Sequence, residues 1–349
     1  MWDTFPWSPS SHPGPELGLA RYGAWAKIAP MEFSSVLPFA LALLASACSC
    51  QGGNAAPPQE KAETLLSIDA DRAWSHMEAQ VALGPRPSGS EANVRLRDFI
   101  VAELKGMGLE ATRESFTAKG TPRGDVAMEN IYADLEATPR KGAPAPMILI
   151  GAHFDTKHMD FPFVGANDGA SEVAVLLELA RVLVTGPERD VTYRFLFLDG
   201  EEAMRLDWED PDNRYGSRHH VSGLTKKPGA LKRAKVFILL DLIGDANLQL
   251  ERDSYSKYQL IQIFERAAKR IGKPNLFSRV STPIKDDHQS FMEYGIASID
   301  LIDMHYGEYG NEYWHTAEDT LDKCSKESLA TIGRLVLAAL PEVERTYGK

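Results

Sequence analysis

Short apolar segments alternate with longer amphipathic ones along most of the chain, and this pattern predicts strands and helices in turn. Apolar residues that alternate with polar ones, or follow one another without a break, predict β-strands, and apolar residues at helical spacing predict helices. The predicted strands are Glu129–Glu136, Met147–Ala152, Val191–Leu198, Lys235–Leu240 and Ala297–Ile302. The predicted helices are Asp69–Leu83, Ser90–Met107, Ser171–Val184, Ser256–Ile271 and Lys326–Tyr347.

Alternating strands and helices are typical of an α/β protein with a buried, largely parallel sheet. We therefore predict a three-layer α/β/α fold, in which helices flank both faces of a central, mostly parallel sheet. A single catalytic domain is expected over residues 68–349. In such sheets the ligand site lies beyond the carboxyl ends of the strands, so functional residues are expected to follow the strands.

The chain before this domain has the pattern of an export signal. Residues 1–30 show no periodicity, and we interpret them as an unstructured upstream segment, with Met31 as an alternative start. Residues 31–48 contain a short apolar run that ends in small residues before Cys48, which is typical of a lipoprotein signal peptide, with a buried core helix as the alternative. Residues 49–67 are interpreted as a flexible linker. These features predict export to a bacterial cell envelope with a lipid anchor at Cys48.

Acidic residues and histidines follow most of the predicted strands. Because residues two apart in a strand share a face, the side chains of His153 and Asp155 are expected to point into one pocket. The other polar clusters that follow strands or open helices are Gly165–Ala170 with Asp168, Asp199–Glu202, Asp241, Lys285–His288 and Trp314–Thr316. Strand ends of a parallel sheet are partly buried, so solvation alone does not explain so many acids there.

These residue types suit zinc chemistry. Zinc binds histidine nitrogen and carboxylate oxygen, and a catalytic site has three protein ligands with one open position. Asp168, Glu202 and His315 supply one such set. The adjacent Glu201 points elsewhere than Glu202 and is free to move protons beside the metal.

Composition narrows the classes of protein. The chain has 349 residues, with 38 Lys and Arg against 49 Asp and Glu, which gives a net charge of −11. Hydrophobic residues make up 44%, which excludes a disordered chain and a multi-span membrane protein. The acidic balance argues against nucleic acid as the partner, because phosphate binding needs a basic surface. Three cysteines are too few for a disulfide scaffold, so the core must be stable without one.

The motifs HFDT, GANDGA, DGEEA and WHT, in this order, resemble the zinc aminopeptidase superfamily with co-catalytic metals. The resemblance implies a zinc-exopeptidase-like fold, with Glu201 as general base. It also implies metal ligands at the matching positions of this sequence, which are His153, Asp168, Glu202, Asp241 and His315.

Longer stretches resemble one branch of that superfamily, the animal-type glutaminyl-peptide cyclotransferases. These stretches are DGEEAMRLDWEDPDNRYGSRH, LLDLIG, KDDHQSF and YWHT. The resemblance implies cyclisation of N-terminal glutamine in peptides and one zinc ion, bound by Asp168, Glu202 and His315. It further implies a proton-handling and hydrogen-bonding set, together with aromatic walls of the substrate pocket. The set is Glu201, Asp241 and Asp286, and the walls are Trp208 and Trp314.

The sequence departs from the cyclotransferase pattern in two places. Animal members carry a disulfide beside the metal site, and the matching positions here are Ala152 and Val173. The aromatic residue expected five positions before the late histidine is Gly310 in this sequence. Tyr306 or Tyr309, in a longer loop, is expected to replace it in the pocket.

Two other functions stay open at this point. A two-zinc aminopeptidase would use His153 and Asp241 for a second metal ion. A non-catalytic binding domain with the same fold is disfavoured, because the metal ligands and the general base are all present, namely Asp168, Glu201, Glu202 and His315.

Overall fold

A six-stranded mixed sheet forms the centre of the fold. The strands are β1 (Ala111–Thr121), β2 (Gly124–Leu135), β3 (Met147–His153), β4 (Thr192–Leu198), β5 (Ala234–Asp241), β6 (Leu250–Asp253), β7 (Phe277–Thr282) and β8 (Ala297–Ile302). The strand order in the central sheet is β1-β2-β4-β3-β5-β8. Strands β4, β3, β5 and β8 run parallel, and the β1–β2 hairpin joins them antiparallel through β2. Strands β6 and β7 pair separately.

The described part of the chain comprises residues 67–138, 144–308 and 310–349 of this computed structural model. The upstream segment, the signal peptide, Cys48 and all but the last residue of the linker lie outside it, and those interpretations stay predictions. Within the described residues, no helix combines the length and the apolar character that crossing a membrane requires.

Helices cover both faces of the sheet, so the three-layer α/β/α prediction is confirmed. The helices are α1 (Ala70–Val81), α2 (Glu91–Gly106), α3 (Glu172–Val184), α4 (Tyr215–Lys226), α5 (Ala230–Arg233), α6 (Tyr258–Arg270), α7 (His288–Met292) and α8 (Lys326–Tyr347). Helices α1, α2, α3, α6 and α8 pack on one face, and α4, α5 and α7 on the other.

The central strands are apolar on both sides because each side meets a helical layer. In β3, Ile148 and Ile150 belong to the larger core under α1 and α3, whereas Met147 and Leu149 belong to the core under α4 and α7. This explains why the strand is a continuous apolar run rather than an alternating one.

Helix starts agree closely with the sequence prediction where a capping side chain is present. Asp69 accepts hydrogen bonds from the main-chain N–H groups of Asp71 and Arg72, and Ser90 accepts one from Asn93. Both caps satisfy N–H groups that have no partner inside the helix.

Elements without a clear apolar pattern were not predicted. Strand β1 exposes most of its side chains and is held by its pairing with β2. Helix α4 buries Gly216, Ser217 and His220 beside only two larger apolar side chains, and no side chain caps its start. Strands β6 and β7 and helices α5 and α7 were also missed, because they are short or lack a clear apolar face.

Gly151 in strand β3 lies directly against the ring of Phe237. A Cβ atom at this position would lie 2.5 Å from Phe237 Cε2, and Phe237 is itself stacked on Phe291 with ring centroids 3.8 Å apart. We expect Gly151→Ala to lower the free energy of unfolding by about 1–3 kcal/mol, because the ring must move in a close-packed core. Chemical denaturation measures this change.

Gly106 offers the control for this substitution. A Cβ atom there would meet nothing within 4 Å, and the residue is the last of α2. Gly106→Ala should leave stability unchanged or raise it slightly. Equal stability of the two variants would contradict the predicted overpacking at Gly151.

Candidate metal centre and active site

The predicted polar residues gather at one edge of the sheet, beyond the carboxyl ends of the parallel strands. Strand β3 ends at His153 and β5 at Asp241, and Glu201 and Glu202 follow β4. They surround a cavity of about 300 Å³. Its lining does not include His153, but it includes the other predicted metal ligands, the predicted proton-handling residues and the predicted aromatic walls, namely Asp168, Glu201, Glu202, Trp208, Asp241, Asp286, Trp314 and His315.

Asp168, Glu202 and His315 come together in a geometry that fits a tetrahedral metal ion. His315 Nε2 lies 3.3 Å from Asp168 Oδ2 and 3.1 Å from Glu202 Oε1. Ligand atoms at about 2.0–2.1 Å from one zinc ion stand about 3.3 Å apart, so these spacings match. Asp168 Oδ2 is buried and accepts no hydrogen bond from a described residue, as expected of an atom that faces a cation.

The electrostatic field at this position favours a positive charge. Although burial opposes the charged form, the carboxylates of Glu202 and Asp168 raise the pKa of His315 to about 9. A field that keeps a proton on an imidazole also attracts a divalent cation, which can replace that proton. The donor set and the field therefore both suit a metal ion here.

Irregular backbone places two of the three ligands. Asp168 has non-helical torsion angles (φ −95°, ψ 97°), and Gly169 follows with φ 100°, just before α3 begins. His315 has a positive φ of 54°. Its ring stacks on Trp314 with centroids 4.0 Å apart and meets the edge-on ring of Phe163. A positive φ at a residue with a side chain, as at His315, persists only where the surroundings hold it, and such positions concentrate at functional sites.

A buried lysine, not recognised from the sequence, touches one of the candidate ligands. Lys157 is 1% exposed, and its Nζ donates a hydrogen bond to Glu202 Oε2 at 3.2 Å. The two oxygens of Glu202 are thus divided, with Oε1 facing His315 and Oε2 facing the ammonium group. Because lysine is rarely buried, its residue type does not indicate a site residue. The only signal in the sequence is its position two residues after Asp155.

A second group of ligand-type atoms surrounds His153. Its Nε2 lies 3.4 Å from Asp168 Oδ1, 3.1 Å from Glu172 Oε1 and 3.3 Å from Asp241 Oδ1. These four residues could also hold a cation. Although burial opposes the charged form, hydrogen bonds to the surrounding carboxylates raise the pKa of His153 well above its usual range. Burial raises the pKa of Glu172 to about 7.

Glu172 was not predicted as a site residue, because at the first turn of a helix a glutamate has an ordinary structural explanation. The side chains of His153 and Asp155 lie side by side, with His153 Nδ1 3.8 Å from Asp155 Oδ1, and neither of them lines the cavity. Asp155 Oδ1 accepts the main-chain N–H of Glu201 at 3.1 Å, and its Oδ2 accepts the hydroxyl of Ser88. Asp155 therefore supports the strand-end loop instead of lining the cavity.

The predicted proton-handling residues are buried beside the metal position. Glu201 Oε1 accepts a hydrogen bond from Trp208 Nε1 at 3.0 Å, so Trp208 both lines the cavity and fixes this carboxyl group. Burial and the adjacent charge of Glu202 raise the pKa of Glu201 well above its usual range. Burial and the charges of Asp300 and Asp241 raise that of Asp286. The catalytic roles of these residues stay predictions.

Apolar side chains form the remaining wall of the cavity. They are Leu242, Ile284, Ile302 and Met304, together with Trp314. The expectation that Tyr306 lines the pocket is wrong, because its side chain is fully buried behind this wall. Tyr309 lies outside the described residues.

Comparison with known proteins agrees with this fold and site. Residues 130–340 match peptidase family M28. The mouse glutaminyl-peptide cyclotransferase-like protein is 29% identical over 303 residues, which cover 79% of this chain and 76% of the mouse protein. The crystal structure of an Acidobacteriales bacterium glutaminyl cyclase superposes with a TM-score of 0.75 at 32% identity, over 84% of this chain and 100% of that chain. Porphyromonas gingivalis glutaminyl cyclase gives a TM-score of 0.69 at 28% identity, over 80% and 100%.

The chain therefore belongs to peptidase family M28. Within this family, its relatives include proteins named glutaminyl-peptide cyclotransferases, and its structural neighbours include several glutaminyl cyclases and a Bacteroides thetaiotaomicron protein described as a leucine aminopeptidase precursor. This confirms the prediction, from the sequence, of an enzyme of the glutaminyl-peptide cyclotransferase type. The metal and the mechanism are taken up below as proposals.

His315 is the simplest ligand to remove. We expect His315→Ala to lose its bound metal during dialysis against a buffer that contains only trace zinc. Of the three proposed ligands, only the two carboxylates would remain. Elemental analysis of the purified protein measures the metal content per chain. His219→Ala is the control, since His219 of helix α4 stacks on Phe116 of strand β1 and belongs to neither group of possible metal ligands. Full metal content in His315→Ala would exclude His315 as a ligand.

Proposed function

We propose that the chain converts N-terminal glutamine of peptides and proteins to pyroglutamate and releases ammonia, with one zinc ion bound by Asp168, Glu202 and His315. The observation that carries the proposal is the cavity itself. The three residues that could hold a metal ion, the carboxyl of Glu201 and an apolar wall all line a space of about 300 Å³, which supports the proposal. The similarity to proteins named glutaminyl-peptide cyclotransferases supports the same reaction.

A zinc ion bound there would supply Lewis-acid polarisation of the substrate γ-carbonyl. The reaction forms a bond between the α-amine nitrogen and the γ-carbon and breaks the bond from that carbon to the amide nitrogen. The amine loses one proton and the leaving nitrogen gains one, so the protons balance without water. The site must hold the glutamine side chain folded back onto its own α-amine. Holding reacting groups in the right orientation can lower an activation barrier by several kcal/mol, on the order of 7–11 in favourable cases.

We infer that Glu201 moves this proton. Its Oε1 is occupied by the indole N–H of Trp208, which leaves Oε2 to take the proton from the α-amine and deliver it to the leaving ammonia. Asp241 lines the same cavity and is suited to accept a hydrogen bond from the leaving carboxamide nitrogen. Asp286, also in the lining, supports this acidic group, and Trp208 and Trp314 confine the substrate side chain.

The two-zinc aminopeptidase remains the alternative, since the atoms around His153 could bind a second cation. The similarity to named cyclotransferases favours cyclisation. Substrates would be peptide N-termini that carry glutamine. The acidic chain offers no reason to expect nucleic acid, and any membrane attachment would be through the lipid anchor at Cys48.

A Gln-initiated dipeptide amide and a matched Leu-initiated amide separate the two reactions. We expect pyroglutamate and ammonia from the first and no hydrolysis of the second, measured by mass spectrometry and an ammonia assay. Removal of the metal with a chelator should abolish turnover, and added zinc should restore it. Hydrolysis without pyroglutamate, with two zinc ions per chain, would overturn the proposal in favour of the aminopeptidase.

Glu201→Gln tests the proton transfer. We expect turnover to fall by at least about a hundredfold, because the amide cannot accept the proton, whereas zinc content stays unchanged. Glu209→Gln is the matched control, since Glu209 is exposed and adjacent to Trp208 in the chain. Turnover of Glu201→Gln equal to that of the control would remove Glu201 from the mechanism.

A further inference from the structure

The carboxylate of Asp319 holds the backbone that carries the candidate ligand Asp168. Its Oδ1 accepts the main-chain N–H of Asn167 at 2.8 Å, and its Oδ2 accepts that of Asp168 at 3.1 Å. The main-chain oxygen of Asp319 also accepts the N–H of Ala166 at 3.4 Å. Three successive N–H groups therefore converge on one residue, which lies in the sequence just after His315.

This anchorage matters because the backbone at Asp168 is irregular. Asp168 and Gly169 lie outside helical torsion angles, so the turn does not satisfy these N–H groups by itself. Asp319 is fully buried, and without it the donors would have no acceptor of comparable strength. The direction of the Asp168 side chain thus depends on the position of the Asp319 carboxylate.

Tyr306 fixes that carboxylate from the other side. Its hydroxyl donates a hydrogen bond to Asp319 Oδ1 at 2.7 Å, and the side chain is fully buried. The ring packs in an apolar cluster with Leu242 and Ile302, which Trp314 also contacts. The ring position is therefore set by packing, and the hydroxyl transmits that position to Asp319.

We propose that Tyr306 is a positioning residue for the metal centre, acting through Asp319 on the backbone of Asp168. The loop that follows β8 then serves the centre twice. Its end supplies His315, and its buried tyrosine orients the ligand on the opposite side. This inference rests on the metal centre of the proposed function. It explains why a residue expected in the substrate pocket is instead buried behind it.

Zinc affinity is the measurement that tests this role. For Tyr306→Phe we expect an affinity about tenfold weaker than that of the wild type, determined by competition with a chromophoric chelator. Asp319→Asn should weaken it more, by about a hundredfold, because the amide group presents a donor to one of the backbone N–H groups. Since the defect lies in holding the metal, excess zinc should restore most of the cyclisation activity of Tyr306→Phe.

Tyr313→Phe is the matched control. Its ring packs against Tyr306 with centroids 5.3 Å apart, yet among the described residues it makes no hydrogen bond to Asp319. Thermal unfolding of the metal-free proteins separates a general loss of stability from a loss of zinc affinity. If Asp319→Asn does not fold, Tyr306→Phe still decides the question, because it removes one oxygen and keeps the ring.

Three results would count against the inference or its basis. Equal zinc affinities of Tyr306→Phe and Tyr313→Phe would overturn the positioning role and leave the proposed function intact. A lower unfolding temperature of metal-free Tyr306→Phe with unchanged zinc affinity would show that the tyrosine is merely structural. A wild-type protein that binds no zinc would overturn the proposed function and this inference with it.

Discussion

The burial of many carboxylates at one edge of the sheet is the constraint on which the site depends. Asp168, Glu172, Glu202 and Asp286 are all nearly inaccessible to solvent, as is Glu201 beside them. Unpaired buried charges are strongly unfavourable, so such a group persists only when cations or protons offset it. A metal ion between Asp168, Glu202 and His315 would supply part of this compensation, and raised pKa values at the other acids supply another part.

Two buried cations from the chain itself, Lys157 and Arg86, offset a further part of this negative charge. Lys157 contacts Glu202 directly. Arg86 is fully buried, and its guanidinium donates to the main-chain oxygens of Gly84, Val164 and Gly165. Burial lowers the pKa of Arg86 to about 10, so it still carries its charge at neutral pH. Arg86 thereby ties the loop before Asp168 to the N-terminal helices and places a positive charge beneath the acidic group.

The parallel strands explain how much of this site was predictable. Strands β3, β4 and β5 end side by side, so short motifs that follow them in the sequence must meet in space. That geometric rule, together with the residue types, was enough to predict that Asp168, Glu201 and His315 belong to one site. Helix α4 and strand β1 escaped prediction because polar and small residues occupy positions where a pattern would need apolar ones.

The amino-acid pattern was sufficient for the alternation of strands and helices, the two-sided sheet and the residue types of the site, because each of these follows from local periodicity or from motifs at strand ends. It was not sufficient for Lys157, Glu172, Arg86, Asp319 or Tyr306. Their importance arises from contacts between distant parts of the chain, such as the hydrogen bond from the Tyr306 hydroxyl to Asp319 and those from Asp319 to the turn at Asp168. A lysine, a glutamate or a tyrosine has the same local signature whether it is exposed or buried against a ligand, and packing alone distinguishes the two.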